Sequence, residues 1–143
     1  MAAIGTRKMK IQMGTPPVEY NADLSRAEVT SGETDSDFVS FADAAAGGGR
    51  DYALEFTAVQ DASNASLWDE VWTNAGDELD VTMCPYGNDV PSVAEPHFTM
   101  TAIISEPDGT ILGGEADASS TAKFTFECTW ALTAKPTRVT TGA

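Results

Sequence analysis

From Ala122 to Thr133 the chain alternates without a break. Ala122, Phe124, Phe126, Cys128, Trp130 and Leu132 point one way, and Lys123, Thr125, Glu127, Thr129, Ala131 and Thr133 point the other. Successive side chains of a strand leave on opposite faces, so a period of two predicts a half-buried β-strand. Three further segments share the pattern. Asp51 to Gln60 sets Tyr52, Leu54, Phe56 and Ala58 against Ala53, Glu55, Thr57 and Val59. Leu79 to Cys84 sets Leu79, Val81 and Met83 against Asp80, Thr82 and Cys84, and His97 to Glu106 sets Phe98, Met100, Ala102 and Ile104 against His97, Thr99, Thr101 and Ile103. Threonine and aromatic residues suit a pleated, half-buried surface, which strengthens the reading.

Around these strands the signals are of other kinds. Residues 1–17 read as an N-terminal arm in which Lys8 to Met13 can pair as a short strand before Pro16 and Pro17, which lack the N–H a ladder needs. Val18 to Thr30 reads as extended, with Asp23, Ser25 and Arg26 blurring its alternation. One helix is expected after Asn64 or Ser66 as N-cap, with Asp69 and Glu70 at its positive end and Gly76 as its stop. Leu67, Trp68, Val71 and Trp72 share its apolar stripe, the spacing of a helix lying on a sheet. Pro107-Asp108-Gly109 marks a turn. Pro136 ends the last strand and leaves residues 137–143 as a threonine-rich tail. These elements predict one mainly β domain over residues 1–143, a β-sandwich or partly open barrel with one flanking α-helix.

Residues 31–50 form a polar, glycine-ended connection that is long for a compact domain. Phe38, Val39 and Phe41 within it would each cost roughly 1.5–3 kcal/mol if left in water. The expectation is a loop that folds onto a partner surface, with Gly47, Gly48 and Gly49 as its root.

Charge narrows the classes of function. Eight Lys and Arg against 22 Asp and Glu give a formal net charge of −14 and leave little to neutralise phosphates, which disfavours nucleic-acid binding and an anionic membrane surface. The opening residues lack the apolar core of a secretory signal, and a soluble chain made in the cytoplasm is expected. Two cysteines, Cys84 and Cys128, have neither zinc-ligand spacing nor a common strand phase, so no metal site and no disulfide are expected. Glu33, Asp35 and Asp37 alternate as calcium ligands can, but without the turn glycine and distal glutamate of an EF-hand loop. Glu115 and Asp117 form a carboxylate pair of a kind any acidic chain offers. The glycines before them, Gly113 and Gly114, suggest a bulge or a close approach. His97 is the single histidine, and no nucleophile elbow or phosphate loop surrounds the serines or glycines. No enzyme activity and no cofactor are expected.

Longer runs carry a resemblance. Ser36 to Asp61, Leu67-Trp-Asp-Glu-Val-Trp72, Cys84-Pro-Tyr-Gly-Asn88, Pro96-His-Phe98, Gly113-Gly-Glu-Ala-Asp117 and Lys123 to Trp130 with Lys135-Pro136 resemble major tail proteins of long-tailed actinobacteriophages. The likeness covers about residues 5–138, and it rests on the order and spacing of motifs that are individually weak. It implies a tail tube subunit of a flexible, non-contractile tail, a structural component of the virion assembled in the host cytoplasm. In that family a sandwich with a flanking helix forms hexameric rings, strands from each subunit join one ring-wide β-barrel, and the rings stack head to tail. DNA passes through the lumen, and the loop here at residues 31–50 reaches a neighbouring ring. Tape-measure and tail terminator or tip proteins would be the other partners.

On that reading the polar strand phases offer Glu55, Asp80 and Glu127 as lumen-lining acids, with Thr57, Thr82 and Thr125 as small polar neighbours. Two other functions fit an acidic β domain. One is a capsid decoration or head–tail connector protein. The other is a small carbohydrate-binding sandwich using Trp68, Trp72 or Trp130, although all three tryptophans fall on apolar stripes.

Overall fold

A computed structural model describes residues 4–14, 17–33, 40–45 and 50–141. Its described residues form eight strands, β1 (Lys10–Met13), β2 (Val18–Glu19), β3 (Leu24–Glu33), β4 (Arg50–Val59), β5 (Glu78–Cys84), β6 (His97–Ile103), β7 (Thr125–Ala131) and β8 (Thr137–Val139). A five-residue helix α1 (Phe41–Ala45) precedes β4, and the flanking helix α2 (Leu67–Asn74) separates β4 from β5. The strands make two antiparallel sheets, one ordered β2-β1-β5-β6-β8 and the other β3-β4-β7. Every strand pairing is antiparallel.

One apolar cluster lies between the sheets. Ile11, Met13, Val81, Met83, Met100 and Ala102 from the larger sheet meet Leu54, Phe56, Ala58, Phe126, Cys128 and Trp130 from the smaller. Trp130 is fully buried, its indole edge-on to Phe56 at 4.7 Å between ring centroids. Its Nε1 donates to the Ser105 carbonyl at 3.1 Å, which satisfies the one polar atom a buried indole carries. The molecule is thus a two-layer β-sandwich with a flanking helix, and its barrel is not closed. At one corner the layers touch: Leu132 bridges to Ala102, and Thr133 N–H donates to the Thr101 carbonyl. From there the chain leaves the β4 side and enters the larger sheet as β8.

Helix α2 starts at Ser66, whose Oγ accepts from Asp69 N–H at 3.1 Å and donates to the carbonyls of Asp61 and Ser63. Beyond Ala75, Gly76 adopts φ +99, a left-handed conformation glycine takes without a Cβ penalty, and its N–H donates to the Ile104 carbonyl. Leu67, Trp68 and Val71 are buried against the sheets.

Several boundaries differ from the sequence reading. Lys10–Met13 is an integral strand beside β5, with Ile11 and Met13 in the core, so the arm covers fewer residues than 1–17. The extended segment from Val18 divides at the turn 20–23, where a register shift between Leu24 and Arg26 explains the blurred alternation. Strand β3 runs on to Glu33, which pairs with Arg50, so both ends of the expected 31–50 loop belong to the sheet. Phe38, Val39, Gly47, Gly48 and Gly49 lie outside the described residues, as do Asp35 and Asp37. The cleanest sequence strand is shorter than its pattern, because only Thr125–Ala131 pairs with β4 while Phe124 is half exposed. The expected C-terminal tail begins with strand β8, whose Thr137–Val139 pair with His97–Thr99. Cys84 is buried despite its polar strand phase, and both cysteines are free.

Candidate functional site

Alternation turns one face of each sheet to the core, so the opposite faces are the surfaces the fold offers to partners. On β3-β4-β7 the register sets Arg26 beside Thr57, Glu28 beside Glu55, and Thr57 beside Glu127. Arg26 forms the hub. Its Nη2 lies 2.6 Å from Glu28 Oε1 and 3.7 Å from Glu55 Oε1, and its Nη1 donates to Thr57 Oγ1 at 3.4 Å. Thr57 Oγ1 in turn donates to Glu127 Oε1 at 3.4 Å. The Glu28 carboxylate, and more weakly Glu55 and Glu127, hold the guanidinium above its ordinary pKa. Next to this network an open groove of about 640 Å³ brings Glu55, Glu106, Asp108 and Glu127 around the same single arginine. Such a surface attracts cations and repels phosphates.

The outer face of the larger sheet differs in chemistry. Asp80 pairs across to Thr101, whose Oγ1 donates to Asp80 Oδ1 at 3.2 Å, and Thr82 pairs with Thr99. Gln12, Thr133, Lys135 and Thr137 share the shallow depression there with Asp80, and by register Glu19 and Glu78 lie on the same face of the sheet. The six residues expected to line one lumen therefore divide. Glu55, Thr57, Thr125 and Glu127 lie on the smaller sheet, whereas Asp80 and Thr82 lie on the larger, whose outer face is turned the other way. Arg26 and Glu28 were missed by the sequence reading; their period-two spacing is visible once the bulge at Ser25 is known.

The sheet edges also differ. Strand β3 is ten residues long, pairs with β4 through nine of them and, among the described residues, has no strand on its other side. The free edge of β7 is partly covered, since Ser105 Oγ donates to the Thr129 carbonyl at 3.1 Å. The edge strands of the larger sheet are only two and three residues long. Short or covered edges resist adventitious pairing, whereas a long bare edge is a template for another chain.

Two apolar features complete the surface. Phe41, on α1, is 97% exposed. A depression of about 360 Å³ is lined by Ile4, Met9, Val29, Tyr52, Phe98 and Pro136, with Lys135 at its side. The helix stripe is incomplete in one respect: Trp72 is 53% exposed, a correction to its expected packing on the sheet. It is stacked on Trp68 at 5.0 Å, while Trp68 is anchored by its Nε1 donating to the Ile111 carbonyl at 2.7 Å.

Of the residues considered for catalysis, Glu115 and Asp117 line one open groove with Asp61 and Lys123, and His97 lies elsewhere. His97 is buried, with Nε2 donating to the Asn88 carbonyl at 2.9 Å inside the β5–β6 connection. Glu115 and Asp117 lie exposed on the β6–β7 connection, where Asp117 accepts from Ser119 N–H. That connection is clamped by Gln60, whose side-chain amide both donates to and accepts from the Gly113 backbone at 2.9 and 2.7 Å. A Cβ on the neighbouring Gly114 would meet the Phe124 ring at 2.9 Å, so the glycine pair serves a close approach. Among the described residues no group of His, Cys, Asp and Glu is placed to hold a metal ion, and no helix is long and apolar enough to cross a membrane. No protein-family model matches the chain, and no curated protein matches it.

Proposed function

We propose that this chain is a structural subunit that assembles with copies of itself, and specifically a tail tube subunit of a long, non-contractile phage tail. The observation that carries the reading is the β3-β4-β7 sheet. It combines a long strand edge, unpaired by any strand among the described residues, with an acidic, threonine-bearing outer face, on the two-layer fold with flanking helix that the resemblance leads one to expect. Pairing along β3 would remove the bare edge, and a heterologous contact that closes makes a ring while stacking that does not close makes a filament.

On this reading the outer face of β3-β4-β7 is turned to the lumen, with Glu28, Glu55 and Glu127 as its acids and Thr57 and Thr125 between them. Asp80 and Thr82 then fall on the outward side of the subunit. Across a wide channel most of the charge is screened beyond a Debye length of roughly 8 Å, so acidity does not drive DNA along. It keeps the wall from trading counterions for phosphates, as a lysine-rich wall would.

Electron microscopy of the purified, concentrated protein tests the proposal. Tubes or stacked rings with a central hole are expected; a chain that stays monomeric at every concentration would overturn it, and single unstacked rings would favour a connector. A carbohydrate-binding sandwich has one observation in its favour, the exposed Trp72 face backed by Trp68, since a buttressed indole can stack on a sugar ring. Quenching of Trp72 fluorescence by host-wall polysaccharide, lost in Trp72→Ala, would support that second reading.

A further inference from the structure

We propose that the apolar depression formed by Ile4, Met9, Val29, Tyr52, Phe98 and Pro136 receives Phe41 of a second copy of this chain. The inference rests on the self-assembly reading and names the pair of surfaces through which one copy holds the next.

Three observations converge on it. Phe41 stands 97% exposed, so in the isolated molecule it occupies neither the core nor this depression. The depression is lined mainly by aliphatic and aromatic side chains and, at about 360 Å³, has room for a phenyl ring. The charges match as well. Residues 33–49, which surround Phe41 in sequence, carry Glu33, Asp35, Asp37 and Asp43 and no basic residue. The depression has the ammonium-bearing Lys135 in its wall and no acidic residue in its lining. Lys135 gives the hollow a basic group in its wall, suited to an acidic segment with an aromatic anchor.

Knob and hollow are different parts of the molecule. Their contact is therefore heterologous: each copy can offer its Phe41 forward and receive another behind, which propagates without limit unless it closes. A central aromatic seated in a desolvated hollow, with charged groups at the rim, is the arrangement in which one residue dominates an interface.

Cysteine pairing tests the contact directly. Phe41→Cys and Ile4→Cys are made in separate chains, mixed, and oxidised gently; the native Cys84 and Cys128 are buried and stay out of the reaction. Disulfide-linked dimers are expected only when both chains are present. Absence of that cross-link, or an internal bond alone in a chain carrying both changes, would overturn the proposal. In parallel, Phe41→Ala should leave the monomer's thermal midpoint unchanged and raise the concentration needed for assembly at least about tenfold. Tubes that form as readily with Phe41→Ala and never cross-link would sink this contact and spare the tail tube reading. Cross-linked chains of copies that never become tubes would uphold the contact and sink the tube.

Discussion

Trp130 shows how much of this fold rests on single side chains. Its ring fills the space between the sheets against Phe56, and its N–H occupies the Ser105 carbonyl. Trp130→Ala removes both, at about 3–5 kcal/mol for the lost packing. Against a total stability of about 5–15 kcal/mol for a typical domain, that leaves the variant partly unfolded in water. Trp130→Phe keeps most of the ring but leaves the Ser105 carbonyl only the weak Cys128 Sγ–H at 3.7 Å, and about 1 kcal/mol is expected. Urea denaturation followed by circular dichroism measures both. The cysteines give a second prediction. Burial pushes the Cys128 thiol up to about 12 and raises Cys84 as well. The reactive species is the thiolate, so at pH 8 neither cysteine should react with a thiol reagent until denaturant is added. Fast labelling of either cysteine in the folded protein would contradict the packing described here.

Elements were legible from sequence where one face is buried and the pattern is long. Strand β4 follows its alternation closely, since Leu54, Phe56 and Ala58 had nowhere to go but the core. The flanking helix was legible through its cap, and Ser66→Ala should cost about 1 kcal/mol, read as a lowered urea midpoint. What alternation cannot show is where pairing stops. Ala122 to Phe124 keep the strand pattern, yet Gln60 N–H already takes the Phe124 carbonyl and the Gln60 side chain holds Gly113, so that stretch serves the neighbouring connection. Strand β8 was hidden because three residues of Thr-Arg-Val carry no period and pair only through the distant β6. The division of the residues expected to line one lumen was hidden for a similar reason. Strand phase tells inside from outside, and only the sheet order tells which outside. Trp72 was misplaced because a helical stripe shows which residues share a face, while burial along that face stops before Trp72.

At the scale of the whole molecule the β3–β4 excursion can be separated from the fold. Glu33 and Arg50 are paired, so deleting residues 36–49 leaves Thr34 and Asp35 between them, the length of a two-residue hairpin. The shortened chain should fold as a monomer of nearly unchanged thermal midpoint and fail to polymerise, as light scattering and electron microscopy would report. Normal tubes from it would refute the assembly role of the excursion. The pairing of β1 with β5 has a consequence of another kind, in time. Lys10 meets Cys84 and Met13 meets Val81, so β1 leaves the ribosome ahead of a partner strand about 70 residues behind it and must wait for it. At roughly 5–20 residues per second that delay is several seconds at least, during which Ile11 and Met13 have no sheet to enter. Only when the middle of the chain is made can the larger sheet close around its beginning. If copies assemble as proposed, a chain built in this order would become competent to join another only late in its synthesis.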